Sequence, residues 1–417
     1  MPPSIPTALY PVFESSLLMG KEGAATPGVA ATAFTGIPCG PLSIDPKYTP
    51  LEDNNLRGSN TDVFDLQFAS RHAEITIPES PCYGDTIGLP LLSCFGDYYS
   101  TGTAGTPTWV TSGVLSPGAG PIAVTSGSVA VAGTFVQIDS TTTSEVVKVG
   151  SGSTATSIHV DTSTPIRFAH LSGVTVTTVV SPFTHNFQLL NLASSTGSTS
   201  AQPSSYTILH RNGIAPSFNA DQYLYGHVNE LKFQAKKDGW FVWDGKVTSF
   251  TRSAPASDIP PSFSTVKGFP SWRSTISLAA GQQFNVTDLT VALSRKLDIV
   301  PTADGVQDPY VIGMGPLTAT FSMDFDVAGN ENVLGYLENN TQPTFSWTIT
   351  NGLAGASLVS FSISAQLTGF KNAPLSVMRQ FWAFKAAGNL IASTSNAGNS
   401  SGYSPLSVQL INAVPTF

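Results

Sequence analysis

From Leu317 to Val327 apolar and polar residues alternate without a break. Leu317, Ala319, Phe321, Met323, Phe325 and Val327 share one parity, and Thr318, Thr320, Ser322, Asp324 and Asp326 share the other. Successive side chains of a strand point to opposite faces, so this run is expected to fold as a strand with one buried face and one polar face. One-sided strands belong to antiparallel sheets, because parallel sheets are covered on both sides. Leu289 to Ile299 repeats the pattern, with Leu289, Val291, Leu293, Leu297 and Ile299 set against Asp288, Thr290, Ser294, Lys296 and Asp298; Arg295 interrupts its apolar side. Val359 to Leu367, the shorter Phe345–Trp347–Ile349 run and Tyr223 to Ala235 give three more copies.

Turn residues punctuate these runs. Lys237-Asp238-Gly239 is expected to close a hairpin between Tyr223–Lys236 and Trp240–Phe250. Asn351-Gly352 and Ala303-Asp304-Gly305 mark two further connections. Two short helices are predicted. Asn330 to Asn339 carries Val333, Leu334 and Leu337 at helical spacing with Asn330 as N-cap. Asp85 to Phe95 carries Ile87, Leu91, Leu92 and Phe95, with Gly88 and Pro90 weakening its start.

Between Thr101 and Pro182 the chain is almost uncharged and built from Ser, Thr, Gly and Val, with short strand-like runs at Phe135–Asp139, Glu145–Val149, Ser157–Asp161 and Gly173–Val180. It reads as a small β-module inserted into a larger, discontinuous β-domain made of residues 1–100 and 183–417. Ala193–Ser204 and Ser393–Ser404 read as polar loops.

Charged residues make up only 11% of the chain, well below the roughly 25% usual for soluble domains, which suits a surface largely covered by neighbouring subunits. The net charge is -8 and no run of Lys or Arg occurs, so tight binding to phosphates, which needs clustered cations, is not expected. Three cysteines, Cys39, Cys82 and Cys94, are too few for a disulfide framework and read as buried free thiols. Met1 to Met19 lacks a basic region followed by an apolar core, so no secretory signal is expected, and no stretch approaches the length of a membrane span. Synthesis in a cytoplasm follows from these two expectations.

Catalytic patterns are missing. The six histidines do not recur at zinc-site spacings, no serine sits in a G-x-S-x-G elbow, and no glycine loop precedes a helix to cradle phosphate. No metal, cofactor or catalytic residue is assigned. His210 and Asp221 are the only components of a triad worth naming, and the carboxylate pairs Glu52-Asp53 and Asp324/Asp326 read as solvated. Acidic residues do outnumber basic ones early in the chain: Asp45, Glu52, Asp53, Asp62, Asp65, Glu74, Glu79, Asp85 and Asp97 against Lys47, Arg57 and Arg71. That excess is either a solvated face or a field that repels another polyanion.

The order of several short pieces resembles the major tail tube proteins of long-tailed, siphovirus-like bacteriophages, particularly the larger ones infecting actinobacteria. The pieces are Leu56-Arg57-Gly58-Ser59 with a strand from Asp62 to Pro78; Asp85-Thr86-Ile87-Gly88-Leu89-Pro90-Leu91-Leu92 running to Phe95-Gly96; and Thr184-His185-Asn186-Phe187. Pro203-Ser204-Ser205-Tyr206-Thr207-Ile208 and Tyr225-Gly226-His227-Val228-Asn229-Glu230-Leu231-Lys232-Phe233 follow, and then the Asn330–Asn339 helix with its strand pair. Residues 101–182 depart from the compact family pattern. They resemble a β-module of viral structural proteins, reading Ser-Glu-Val-Val-Lys-Val at Ser144–Val149 and Pro-x-Arg-x-x-His-x-x-Gly at Pro165–Gly173.

The resemblance implies a β-sandwich or barrel of the tail tube type and a structural, non-enzymatic virion tail protein. Six-membered rings would stack head to tail, and viral DNA would pass through the lumen without specific binding. It implies contacts with copies of itself and with tape measure, tail terminator and baseplate or tip proteins, and none with a membrane. The insert would face outward. Asp62, Asp65, Asp288, Asp298, Asp324 and Asp326 are the candidates for a weakly acidic lumen wall. Three other readings stay open: a viral receptor- or carbohydrate-binding β-sandwich using Trp109, Trp240, Trp243 and Trp272, an extracellular glycoside-processing enzyme, and another head or tail component.

Overall fold

The computed structural model describes residues 15–23, 26–54, 63–191, 202–211, 220–257, 259–283, 285–303, 305–327, 333–378, 381–397 and 402–417. These residues fold into two large antiparallel sheets facing each other, with two short helices. The larger sheet runs from Ser43–Asp53 through Asp65–Pro81, Phe241–Ser249, Ala220–Lys236, Val286–Val300 and Val311–Asp326 to Phe381–Ile391. Leu367–Asn372 and Leu375–Met378 both pair along that last strand. A branch leaves through the first half of Ala220–Lys236 to Tyr206–Arg211, Ser16–Lys21 and Thr35–Ile37. The smaller sheet runs from Gly281–Gln283 through Ser274–Leu278, Phe345–Thr350, Ser360–Ala365, Ser407–Asn412 and Thr175–Leu189 to Phe135–Ile138 and Glu145–Lys148.

The period-two runs do what their pattern requires. Ala319, Phe321, Met323 and Phe325 are buried, and Thr318, Thr320 and Ser322 are exposed. Across three strands the buried parity aligns into rows: Phe233 beside Val291 beside Phe321, and Ala235 beside Leu289 beside Met323. The first of these rows ends at Gly388, opposite Phe321, where an added Cβ would come within 2.0 Å of the Gly369 carbonyl oxygen and 2.8 Å of the Phe321 ring. Only glycine fits there. Phe233 and Phe241 of the larger sheet meet Phe361 and Trp347 of the smaller one, with ring centroids 4.9–5.2 Å apart. This aromatic layer is the centre of the sandwich, at the spacings that aromatic pairs favour.

Two elements differ from the sequence expectation. Val359 to Leu367, expected as one strand, breaks at Gln366: Ser360–Ala365 belongs to the smaller sheet and Leu367–Asn372 to the larger. The alternation survives the break, so periodicity alone could not reveal the change of sheet. Arg295, expected to weaken its strand, is buried instead. Its guanidinium donates to the carbonyl oxygens of Gly315 (2.8 Å), Cys94 (3.0 Å) and Met314 (3.4 Å). Cys94 lies in the last turn of the Gly88–Phe95 helix, where carbonyls lack intrahelical partners, so a cation there is favoured by the helix dipole. The sheet register shifts between Arg295 and Leu297, and the buried parity of the Val311–Asp326 strand changes to Met314 and Ile312.

The first helix is shorter than expected, with Pro90 in its first turn and Gly96 closing it at φ 87°. The second spans Val333–Glu338; its expected N-cap Asn330 lies outside the described residues. The Lys237-Asp238-Gly239 turn closes the expected hairpin. All three cysteines are free; Cys82 and Cys94 are buried as expected, and Cys39 is half-buried.

The strands Gly96–Val110 and Thr175–Leu189 pair over most of their length and run continuously from the body into residues 101–182. There Trp109, Val136, Ile138, Val147, Ile158 and Ile166 help form an apolar cluster separate from the main core.

Candidate functional site

The alternating strands give the larger sheet a polar face. Its rows cross the strands in register. Gln234, Thr290, Ser322 and Ala387 form one row. Lys232, Ala292, Thr320 and Asn389 form the next, and Lys236, Asp288, Asp324 and Lys385 a third, in which two carboxylates stand between two ammonium groups. Burial, against the pull of Lys385 and reinforced by the Asp288 charge, holds the Asp324 carboxyl above its ordinary range.

Charges on this side of the sheet are mostly matched. Glu74 lies 3.0 Å from Lys246 and 3.8 Å from Lys47, Lys232 lies 3.4 Å from Asp244, and Lys236 lies 3.5 Å from Glu79. Exposed pairs of this kind contribute little to stability. Their effect is on the field, since each lysine is held beside a carboxylate. The acidic excess read from the sequence is therefore smaller at the surface than the count suggests. Asp97 leaves it altogether, fully buried against Arg167 at 2.8 Å.

The six aspartates proposed from sequence are not gathered in one cluster. Asp288 and Asp324 are direct neighbours, and Asp326 follows two residues on. Asp298 is exposed opposite Gly313, ten residues from Asp288 and so roughly 33 Å along the strand. Asp65 lies on the projecting Ser43–Asp53/Asp65–Pro81 hairpin, opposite Asp53. Asp62 lies outside the described residues.

Acid–base clusters exist, but they are engaged in structure. His210 stands opposite Asp221 across adjacent strands, yet Asp221 is also 2.5 Å from Arg252. Cys39 and His210 line a cavity of about 500 Å³, and burial pushes the Cys39 thiol up to about 11, so it is protonated and a poor nucleophile. In the insert, Glu145 accepts from the backbone N–H groups of Arg167 (2.7 Å) and Phe168 (3.1 Å) and lies 2.8 Å from His170 Nε2. Arg167 Nη1 donates to the Tyr98 carbonyl and Nη2 to Asp97, both at 2.8 Å. The two insert motifs are thus the two halves of one clip, with Glu145 and His170 closed to solvent. Among the described residues no group of three or more His, Cys, Asp or Glu is arranged to hold a metal, and no helix is long and apolar enough to cross a membrane.

The tryptophans divide. Trp109 and Trp243 are buried, while Trp240 and Trp272 are exposed, so core packing accounts for the first two and not for the others. Sequence reasoning also missed Glu22. Its buried carboxylate accepts from Gly28 N, Ser205 Oγ, Thr207 Oγ1 and Tyr225 N at 2.6–3.0 Å. Nothing marks Glu22 in its own segment; the signal lay in Ser205, Thr207 and Tyr225, polar positions within the family-like stretches.

A family model described as phage tail tube protein matches residues 13–380. The chain belongs to the phage tail tube protein family. The family is a structural one, not an enzyme family, and places the chain in the virion tail, in a component built by oligomeric assembly. The match covers the insert and all of the sandwich except its Phe381–Ile391 and Ser407–Asn412 strands, and the mainly antiparallel β-fold agrees with it. No curated protein matches the chain significantly.

Proposed function

We propose that copies of this chain close into six-membered rings that stack head to tail into the tail tube of a long-tailed bacteriophage, and that the lumen conducts viral DNA. One observation carries the reading. Among the described residues, and apart from the branch that ends at Thr35–Ile37, the larger sheet has an unpaired edge at Ser43–Asp53 and another at Leu375–Met378 with Leu367–Asn372. Open edges invite pairing with another chain. A head-to-tail contact uses both edges of every copy, closes into a ring when the rotation closes, and propagates by stacking.

The Ser/Thr face of the same sheet then lines the lumen, with Asp288, Asp298, Asp324 and Asp326 on it and Asp65 on the hairpin. Lysines held beside carboxylates leave DNA phosphates no cationic track to dwell on. The 101–182 insert decorates the outer surface, because an inward module would obstruct passage. The tape measure protein occupies the lumen before ejection, and the terminator and baseplate or tip proteins meet the two ends.

Negative-stain electron microscopy of the purified chain at rising concentration tests the reading. Hollow rings or tubes with a central channel are expected. Monomers at every concentration, with no capture by virion tail components, would overturn it.

A further inference from the structure

The hairpin formed by Ser43–Asp53 and Asp65–Pro81 outruns the sheet that carries it. Only Ala73–Pro81 pairs with the next strand, Phe241–Ser249, so the hairpin beyond His72 is a two-stranded arm. Two-stranded ribbons are marginal in water unless a face is covered. This arm has a sided composition. Leu66 and Phe68, two residues apart, share a face; Pro50 pairs with Phe68, and the Tyr48 ring lies 4.9 Å from the Phe68 ring. Leu66, Phe68 and Tyr48 are 52%, 47% and 47% exposed. The opposite face carries Asp53, Asp65 and Gln67 with Leu51, and Glu52, opposite Leu66, sets one carboxylate at the tip of the apolar face.

The other end of the sheet has a matching feature. Leu375 and Val377 share a face with Trp382, which lies opposite Val377, and the three are 51%, 64% and 57% exposed. The charges of the two ends are opposed. Residues 43–65 hold five acidic residues against two basic ones; residues 367–391 hold Lys371, Arg379 and Lys385 and no acidic residue. After Glu338 the chain has no Asp or Glu at all, and the carboxylate opposite Lys385 comes from the neighbouring strand, Asp324.

We infer that the arm of one copy lays its Tyr48–Leu66–Phe68 face on the Leu375–Val377–Trp382 face of a second copy. The inference rests on the self-assembly reading above and assigns its contact surfaces. Two like ends would repel, and an arm folded back on its own chain would have to cross the sheet, so charge selects a head-to-tail partner. Burial of these side chains supplies the attraction, and the acidic arm and basic edge fix its direction.

Cysteine pairing tests the assignment. In full-length protein carrying Cys39→Ser, Phe68→Cys and Val377→Cys are introduced together and singly. Oxidised particles of the double variant are expected to run as a ladder of covalent multimers, and those of either single variant are not. Particles that form but give no ladder overturn the docking assignment and leave ring assembly standing. A wild-type chain that stays monomeric at every concentration overturns both. An independent measurement uses Leu66→Ser with Phe68→Ser, which touches no core residue. The concentration at which particles first form should rise at least tenfold while the melting of the monomer stays unchanged; an unchanged onset overturns the assignment.

Discussion

The insert and the arm both leave the body as extensions of its strands, and they are finished in opposite ways. The insert encloses its own apolar cluster and locks its loop with a buried clip: Glu145 to the Arg167 and Phe168 backbone and His170, and Arg167 onward to Asp97. The arm encloses nothing. Its aromatic pair is half exposed, and two like charges, Asp53 and Asp65, sit directly opposite each other, which weakens a strand pair. The buried groups of the insert find their partners within this chain, whereas the apolar face of the arm stays exposed. The difference lies in where polar groups are buried, because buried groups are costly when unpaired and exposed ones are not.

Breaking the clip should therefore give the largest effect. Glu145→Ala leaves two backbone N–H groups and His170 without their acceptor inside a closed interior, and should cost about 3–5 kcal/mol. Urea unfolding followed at Trp109, which is buried in the insert, checks this. Hydrogen exchange should speed up in the insert before the body. A loss below about 1 kcal/mol would mean that the insert does not depend on its clip.

Acid sharpens the same contrast by titrating buried groups. Burial lowers His185 and His227 from 6.5 to about 4, with Arg295 adding to the effect on His227. The unfolded chain then binds protons that the folded chain refuses, so stability is complete above pH 6.5 and falls as pH drops toward 4. Each histidine should contribute ~3 kcal/mol to that loss. His227→Gln should flatten the decline, measured as the unfolding midpoint against pH from 7 to 4. An unchanged slope would show that His227 is not the group responsible. The arm, with no buried histidine, should keep the same protection relative to the intrinsic exchange rate over this range.

The body was the legible part, for a physical reason. Alternation at Leu317–Val327 and Leu289–Ile299 is written into the chain residue by residue, because each side chain must face either core or solvent. The clip was legible only as a motif: Glu145 and Arg167 are far apart in sequence, and nothing local says that one carboxylate will collect the other's backbone N–H. Arg295 misled, since a cation at a buried parity is sensible only once a helix end is known to lie above it. Trp240 and Trp272 were not decided by sequence, because size and apolarity favour burial but loop and turn positions settle it. The acidic count overstated the surface field, because cross-strand neighbours such as Lys246 and Glu74 are set by register, which alternation alone leaves open.

The smallest expected effect tests where the arm begins. Its base is held by the loop before Tyr310: Gln307 accepts from the Arg71 backbone N–H at 3.0 Å and donates from Nε2 to the Phe68 carbonyl oxygen at 2.8 Å, and Arg71 Nε lies 3.4 Å from Asp308. Only the Nε2 bond needs the glutamine side chain, and it is exposed, so Gln307→Ala should lower global stability by no more than about 0.5–1 kcal/mol. Its effect should be local. Amides of residues 65–70 should exchange faster in the unassembled variant than in the wild type, while those of Ala73–Thr76, paired on both sides, should not change. Faster exchange across the whole Asp65–Pro81 strand would place the boundary of the body further along it, and the arm would then be a longer and softer element than its pairing indicates.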